Sequence, residues 1–327
     1  MSSTVTVIDG SPGRRESGAR PADAARAAFV EAQGRLLRHY GVEARSRSLS
    51  LERPAMQAHV LEAGRGEPLV ILHGGDGQGV DWAPLMAELQ GDMRLYAIDR
   101  PGYGLSDPFD YRRVDLRRHA ADFVVSALDA LGLERATIAG GSMGGFFALA
   151  TAFERPERVR ALALVGMPVG LARRIAPAMR VLCGVPGLAD LFVARLARPT
   201  AKARRRQYRD MFHIDPQTVP DVYFDMQVAG MQIPGALSTW AVLLRRVAGL
   251  RGMRDEVTFA DELDRLRPPT LVVWGQHDMA PAAAGRAAVE RIPDGRFVEL
   301  PGTGHFPFLE RPGETARLIR ELVAREP

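Results

Sequence analysis

The chain alternates short apolar runs with amphipathic stretches over most of its length. Several of the apolar runs, such as LVIL at 69–72 and TLVVWG at 270–275, are continuous, which is typical of strands buried on both faces. Helical patterns follow most of them, beginning with WAPLMAELQ at 82–90. We therefore predict an α/β fold with a doubly wound, mostly parallel sheet.

The alternation stops once, between residues 168 and 268, where the pattern is helical, punctuated by Pro and Gly, and contains no convincing strand. A structureless loop of that length is improbable in a compact domain. We therefore predict that residues 169–267 form a helical cap, and that residues 51–168 and 268–327 form the core.

The N-terminal region precedes this pattern. Residues 1–20 are rich in Ser, Gly and Arg and are predicted to be disordered. Residues 21–41 are rich in Ala, Leu and Arg, with apolar residues at helical spacing and a stop at Gly41. Residues 21–50 are therefore interpreted as a helical extension outside the sheet, docked on its own subunit or on a neighbour, so the sequence leaves the oligomeric state open.

Composition narrows the classes of partner. The 327 residues are 46% hydrophobic and 25% charged, as in ordinary globular proteins, and the formal net charge is only +4. The densest basic run, Arg204 to Arg206, is interpreted as the solvated face of a surface helix. We therefore expect no nucleic-acid partner.

The compartment is inferred from two features. A single cysteine, Cys183, allows no intramolecular disulfide and no cysteine metal cluster. The N-terminus lacks the apolar segment of a signal peptide, and no stretch has the roughly 18–20 apolar residues of a membrane span. We expect a cytoplasmic protein without a membrane span.

Gly140 to Gly145 read GGSMGG and contain the pattern G-x-S-x-G between a strand pattern and a helix pattern. In that context a tight turn holds Ser142 in a strained conformation at the N-terminus of a helix, where backbone N–H groups favour developing negative charge. Ser142 is the predicted nucleophile.

A serine nucleophile needs a base and an acid that orients the base. The order serine, acid, histidine is diagnostic of this turn. Asp278 and His305 each follow a predicted strand, in that order, so we predict them as the acid and the base. Asp278 as a helix cap, His305 as a loop residue and His277 as a competing base are the weaker interpretations.

A glycine-rich turn, His73-Gly74-Gly75, follows the strand that begins at Leu69. Such a turn can direct a backbone N–H at the reacting oxygen. The oxyanion hole is assigned to the N–H groups of Gly75 and Met143, and His73 is interpreted as a residue that supports the loop. No G-x-G-x-x-G, P-loop or H-E-x-x-H pattern occurs, and the histidines have no metal spacing, so no cofactor and no metal are expected.

Taken together, HGG, DRPGYGLSD (99–107), GGSMGG, WGQHD and GTGHFPFLERP resemble the α/β-hydrolase superfamily from about residue 57 to residue 323. The resemblance implies a cap between the sixth and seventh strands and a cofactor-independent serine hydrolase. Relatives of this fold with an aspartate nucleophile, the haloalkane dehalogenases and epoxide hydrolases, differ at Ser142. In the carbon–carbon bond hydrolases a tryptophan often follows the catalytic histidine, whereas Phe306 does here.

The cap supplies the residues expected near the substrate. If a minority of its large apolar side chains face inward, the pocket suits a medium-sized hydrophobic substrate, with Asp225 or a cap arginine available for a charged group. Carboxylic ester hydrolysis is the preferred function, with carbon–carbon hydrolysis of a diketone as the alternative and a non-hydrolytic or ligand-binding role as the third. The large apolar side chains of the cap are Met179, Leu182, Phe192, Phe212, Tyr223, Phe224, Met226, Met231 and Trp240.

Overall fold

A computed structural model describes residues 21–173, 175–195 and 200–325, so the tail predicted for residues 1–20 lies outside the described residues. The strands in chain order are β1 (Ala44–Glu52), β2 (Ala55–Gly64), β3 (Glu67–Leu72), β4 (Met93–Ile98), β5 (Ala136–Gly140), β6 (Val159–Val165), β7 (Ala248–Gly249), β8 (Gly252–Met253), β9 (Thr270–Gly275) and β10 (Gly295–Leu300). Eight of them form one sheet in the order β1-β2-β4-β3-β5-β6-β9-β10, and β7 pairs with β8.

In this order all strands from β4 through β3 to β10 are parallel to one another. Strand β2 is antiparallel to both of its neighbours, β1 and β4. Its central strands are buried on both faces, as the continuous apolar runs predict: every residue of β5 and β9 is buried. The predicted doubly wound, mostly parallel sheet is confirmed. Parallel strands end at the same edge of a sheet, so the loops that follow β3, β5, β9 and β10 lie close together.

Helices cover both faces of the sheet. The core on one face includes side chains of the third and fourth helices, and the core on the other includes those of the first, second and last. In chain order the helices are α1 (Pro21–His39), α2 (Ala83–Leu89), α3 (Leu116–Ala130), α4 (Met143–Glu154), α5 (Pro177–Gly184), α6 (Leu188–Arg195), α7 (Ala201–Phe212), α8 (Asp221–Met231), α9 (Ala236–Val247), α10 (Ala282–Val289), α11 (Pro307–Glu310) and α12 (Pro312–Ala324).

Helices α5 to α9 lie between β6 and β9, the sixth and seventh strands of the main sheet along the chain. We call residues 169–267 the helical insertion. The short β7–β8 hairpin lies in this segment, where the sequence indicated no strand; each of its strands has only two residues, too few for a periodic pattern. The domain boundaries inferred from the sequence stay a prediction.

The N-terminal region contains α1, which packs on α8 of the helical insertion, and also the edge strand β1. This strand was not expected in the helical extension of residues 21–50. Its sequence ARSRSLSLE is mostly exposed, and only Leu49 and Leu51 are buried. A polar edge strand gives little apolar signal, and pairing with β2 over nine residues supplies what its own sequence does not show.

Candidate active site

Ser142 lies in the tight turn between β5 and α4, with φ 50° and ψ −113°. A positive φ at a residue with a side chain is strained and persists only where the surroundings enforce it. Two glycines allow the close approach: a Cβ at Gly144 would lie 1.9 Å from the carbonyl oxygen of Leu72, and one at Gly140 would lie 2.5 Å from that of Gly144. The glycines therefore make room for the turn that carries Ser142.

Asp278 and His305 are brought together from the ends of β9 and β10. His305 Nδ1 lies 2.6 Å from Asp278 Oδ1, and both side chains are almost completely buried. The N–H groups of Met279 and Met167 donate to Oδ1 and Oδ2 of Asp278, at 2.6 and 2.8 Å. A carboxylate accepts a hydrogen bond from Nδ1–H, so the neutral imidazole keeps its lone pair on Nε2.

These residues meet at one cavity. Ser142 and His305 both line it, as do Gly75 and Met143, and Asp278 lies behind His305. His277, the competing base in the sequence, is exposed and does not line the cavity. The structure thus brings all five predicted site residues to one place, at the carboxyl edge of the sheet where doubly wound folds bind ligands.

The loop after β3 is held by buried polar contacts. Nη2 of Arg100 donates to the carbonyl oxygens of Gly74 and Gly75, at 2.6 and 3.0 Å. His73 Nε2 accepts the backbone N–H of Arg100 at 2.9 Å, and His73 Nδ1 donates to the oxygen of Gly74. Burial and the neighbouring Arg100 charge lower the pKa of His73 to about 3. A neutral His73 therefore supports this loop, as the sequence predicts.

The helical insertion forms the opposite wall of the cavity. Four of the nine predicted apolar residues line it, namely Met179, Phe212, Tyr223 and Trp240. Phe224 and Met226 are fully buried elsewhere, and Asp225 is exposed and outside the cavity. Helical spacing indicates which residues share a face, but not which face turns toward the sheet.

The basic run on α7 is not wholly solvated, so the interpretation of Arg204 as a surface residue is wrong. Its side chain is 1% exposed and lines the cavity. Nη1 of Arg204 lies 2.7 Å from Asp76 Oδ2, and Nη2 donates to Gln227 Oε1. Gln227 in turn donates to Asp81. Ion pairing permits burial of this arginine, and its acidic partners lie far from it in sequence.

Asp76, Asp81 and Gln227 were missed by the sequence analysis. Asp76 directly follows Gly75, so its place in the HGGDG motif was a signal that a loop near the reacting oxygen carries an acid. Gln227 had no such signal, because a glutamine on an amphipathic helix is ordinarily exposed.

A second Ser–His–Asp relay joins β1, β2 and the residue that follows β4. Ser46 Oγ is 2.7 Å from His59 Nε2, and His59 Nδ1 is 2.7 Å from Asp99 Oδ2. None of these three residues lines the cavity. Asp99 also accepts the N–H groups of Gly79 and Leu105, so this relay stabilises loops on either side of β4.

The described residues also bear on metal binding and on membrane spanning. Among them, no group of three His, Cys, Asp or Glu side chains is placed to hold a metal ion. No single helix in these ranges is long and apolar enough to cross a membrane, whereas α5 and α6 reach that length and composition only as a pair bent by 100°.

The chain belongs to the alpha/beta hydrolase family, whose sequence model matches residues 69–318. It is 29% identical over 277 residues to 2-hydroxy-6-oxononadienedioate/2-hydroxy-6-oxononatrienedioate hydrolase 2 of Pseudomonas putida, covering 82% of this chain and 92% of that protein. It is 28% identical to 2-hydroxy-6-oxo-6-phenylhexa-2,4-dienoate hydrolase of Burkholderia cepacia, covering 81% and 91%.

Solved structures share the fold. Carboxylesterase CesB of Bacillus subtilis matches with a TM-score of 0.73 at 21% identity, covering 93% of this chain and all of that one. A meta-cleavage product hydrolase, CumD, matches with a TM-score of 0.70 at 23% identity, covering 85% and 98%. The chain therefore belongs to a hydrolase family, and solved structures named for two reaction classes share its fold.

Proposed function

We propose that this chain is a serine hydrolase that cleaves a carbon–carbon bond beside a ketone in a diketone-type substrate. The observation that supports the hydrolytic chemistry is the buried Asp278–His305 pair, which opens onto the cavity that Ser142 lines. The bond class rests on the curated relatives, which are named as hydrolases of 6-oxo dienoates and match over four fifths of the chain. They favour the diketone alternative over the carboxylic ester preferred from the sequence.

In this proposal Ser142 Oγ attacks the ketone carbonyl while His305 Nε2 takes its proton. The N–H groups of Gly75 and Met143 stabilise the resulting oxyanion. The N–H group of Met143 is suited to binding the oxyanion because α4 begins at this residue. N–H groups in the first turn of a helix have no partner within the helix.

Collapse of the tetrahedral intermediate breaks the carbon–carbon bond. The electron pair leaves on carbon, where the second carbonyl of a diketone delocalises it, and His305 returns the proton to that fragment. Water, deprotonated by His305, then hydrolyses the acyl group on Ser142. The balance is one water consumed, giving one carboxylic acid and one ketone.

The test compares two substrates on one enzyme. We expect the purified protein to bleach a conjugated dienol–ketone faster, in kcat/KM, than it releases p-nitrophenol from an ester with the same acyl group. Ser142→Ala should lower both rates by about three orders of magnitude or more, whereas Ser46→Ala, in the relay outside the cavity, should leave them unchanged. Full activity in Ser142→Ala would refute the proposal.

Ester hydrolysis through the same acyl-enzyme is the second candidate. It is favoured by Phe306, whose ring lies 4.8 Å from that of Phe212 at the cavity wall. A phenyl ring has no N–H donor, unlike the tryptophan frequent at this position in carbon–carbon hydrolases. Release of p-nitrophenol without bleaching of the conjugated ketone would assign the chain to this class.

A further inference from the structure

One end of the cavity holds a cluster of polar side chains from the helical insertion and the loop after β3. Arg204 and Asp76 form an ion pair of 2.7 Å, with side chains 1% and 12% exposed. Gln227 bridges Arg204 to Asp81. All four of these residues line the same cavity as Ser142, the predicted nucleophile.

Both terminal nitrogens of Arg204 already donate to groups within the protein. Nη1 donates to Asp76 and to Gln207, each at 2.7 Å, and Nη2 donates to Gln227. Nε is buried and has no hydrogen-bond partner in the structure. A ligand carbonyl or hydroxyl oxygen needs one N–H donor, whereas a carboxylate in a bidentate pair needs two parallel donors and would compete with Asp76 for the guanidinium.

The cluster has no surplus positive charge. Arg204 contributes one positive charge, and Asp76, in contact with it, contributes one negative charge. Asp81 is buried and accepts the N–H of Gln78 at 3.0 Å. If Asp81 is protonated the cluster is neutral, and if it is ionised the cluster is negative. Burial raises the pKa of Asp81 to about 8, which favours the neutral state near pH 7.

We propose that this end of the cavity binds an uncharged polar group of the substrate, such as a carbonyl, hydroxyl or amide, and excludes a carboxylate. Asp76 is then a specificity-determining residue, because it neutralises the arginine that would otherwise attract an anion. Placing a carboxylate beside buried acidic groups costs desolvation and like-charge repulsion. The inference rests on the proposed function, which places the scissile carbonyl at Ser142.

Binding to the Ser142→Ala variant tests this without requiring turnover. The two ligands are methyl 6-amino-6-oxohexanoate and monomethyl adipate, which match in length and differ in a terminal amide or carboxylate. By isothermal titration calorimetry at pH 7.5, we expect the amide to bind at least about tenfold more tightly. Equal affinity, tighter binding of the carboxylate, or binding of neither ligand overturns the proposal.

Adding Asp76→Asn should free Arg204 and raise the affinity for the carboxylate by about tenfold, with little change for the amide. The matched control is Asp110→Asn, which removes the same charge from an exposed pair with Arg112 and should preserve the preference. An Asp76→Asn variant that folds and keeps the original preference contradicts the assignment of Asp76.

If Asp76→Asn does not fold, the comparison in the Ser142→Ala background alone decides. Failure of the proposed function has a different signature, because the wild-type chain then leaves the conjugated ketone of the activity test unbleached. The ligand preference of the cavity is measured either way.

Discussion

Oδ1 of Asp278 lies 2.6 Å from Nδ1 of His305, and Oδ2 of the same carboxylate accepts the N–H of Met167 from the segment after β6. With Met279 also donating to Oδ1, three N–H groups converge on one carboxylate. Its orientation is therefore set by the backbone of two strand ends. This fixes the imidazole of His305 with Nε2 as the basic nitrogen.

Replacing Asp278 by Asn should abolish the preference of His305 for the tautomer that has its proton on Nδ1. An amide has one oxygen and one NH2 group. Its NH2 group must therefore face an N–H donor at a place where the carboxylate had an accepting oxygen. His305 is then favoured in the tautomer that has its proton on Nε2, which cannot accept the proton of Ser142. We expect kcat to fall by about three to four orders of magnitude, measured on the substrate that the wild-type protein cleaves. Asp110→Asn should keep the wild-type rate; a loss of less than tenfold in Asp278→Asn would contradict the assigned role.

The two Ser–His–Asp relays make contrasting predictions for a covalent probe. Ser142 sits at a helix N-terminus in a cavity, whereas Ser46 lies on an edge strand. A hydrogen bond to histidine alone does not stabilise a developing oxyanion, which needs N–H donors nearby. We expect a fluorophosphonate to add once, on Ser142, as located by mass spectrometry of the intact protein and its peptides. His305→Ala should prevent the addition, and an adduct on Ser46 would show that the assignment of the nucleophile is incomplete.

The site was predictable because Ser142 and Asp278 follow apolar runs, and His305 follows a further strand pattern at 296–300. Such runs fix where each strand ends, and parallel strands end at one edge, so Ser142, Asp278 and His305 could be placed together without tertiary information. The glycines around Ser142 were a further local signal, because a close backbone approach in the turn requires residues without a side chain.

The side chains beyond the strand ends were less predictable. Arg204 lies among charged residues, and its burial depends on contacts with Asp76 and Gln227, 128 and 23 residues away. Strand β1 forms because β2 offers a free edge, and its own sequence is mostly polar. Both features arise from long-range pairing, which periodicity along the chain does not record.

The close contact at Gly144 predicts a large effect of one methyl group on stability. Ala at this position would place Cβ 1.9 Å from the backbone oxygen of Leu72, which cannot rotate away. We expect Gly144→Ala to lose about 3 kcal/mol or more in free energy of unfolding, or to fail to fold. Gly91 is the matched control, because its Cβ would meet nothing within 4 Å, and Gly91→Ala should stay within about 0.5 kcal/mol of the wild type. Equal urea midpoints for the two variants would show that the turn relaxes.

Glu310, next to the candidate active site, should make the free energy of unfolding depend on pH. Both of its carboxylate oxygens lie 3.0 Å from the backbone N of Gly304, the residue before His305. Burial raises the pKa of Glu310 from 4.5 to about 7, although hydrogen bonds from Gly304 and Phe306 oppose the shift. The carboxyl group therefore keeps its proton in the folded chain over a range in which the unfolded chain has lost it.

Because the folded state binds the extra proton between pH 4.5 and about 7, the free energy of unfolding should fall as the pH rises through this range and then level off. Glu310→Gln keeps an acceptor for the Gly304 N–H but cannot titrate. We expect the wild type to lose on the order of 2 kcal/mol more than Glu310→Gln between pH 5 and pH 8 in urea unfolding. Glu314→Gln, at an exposed position in the first turn of α12, should follow the wild type. Parallel pH profiles for Glu310→Gln and the wild type would show that Glu310 titrates alike in both states.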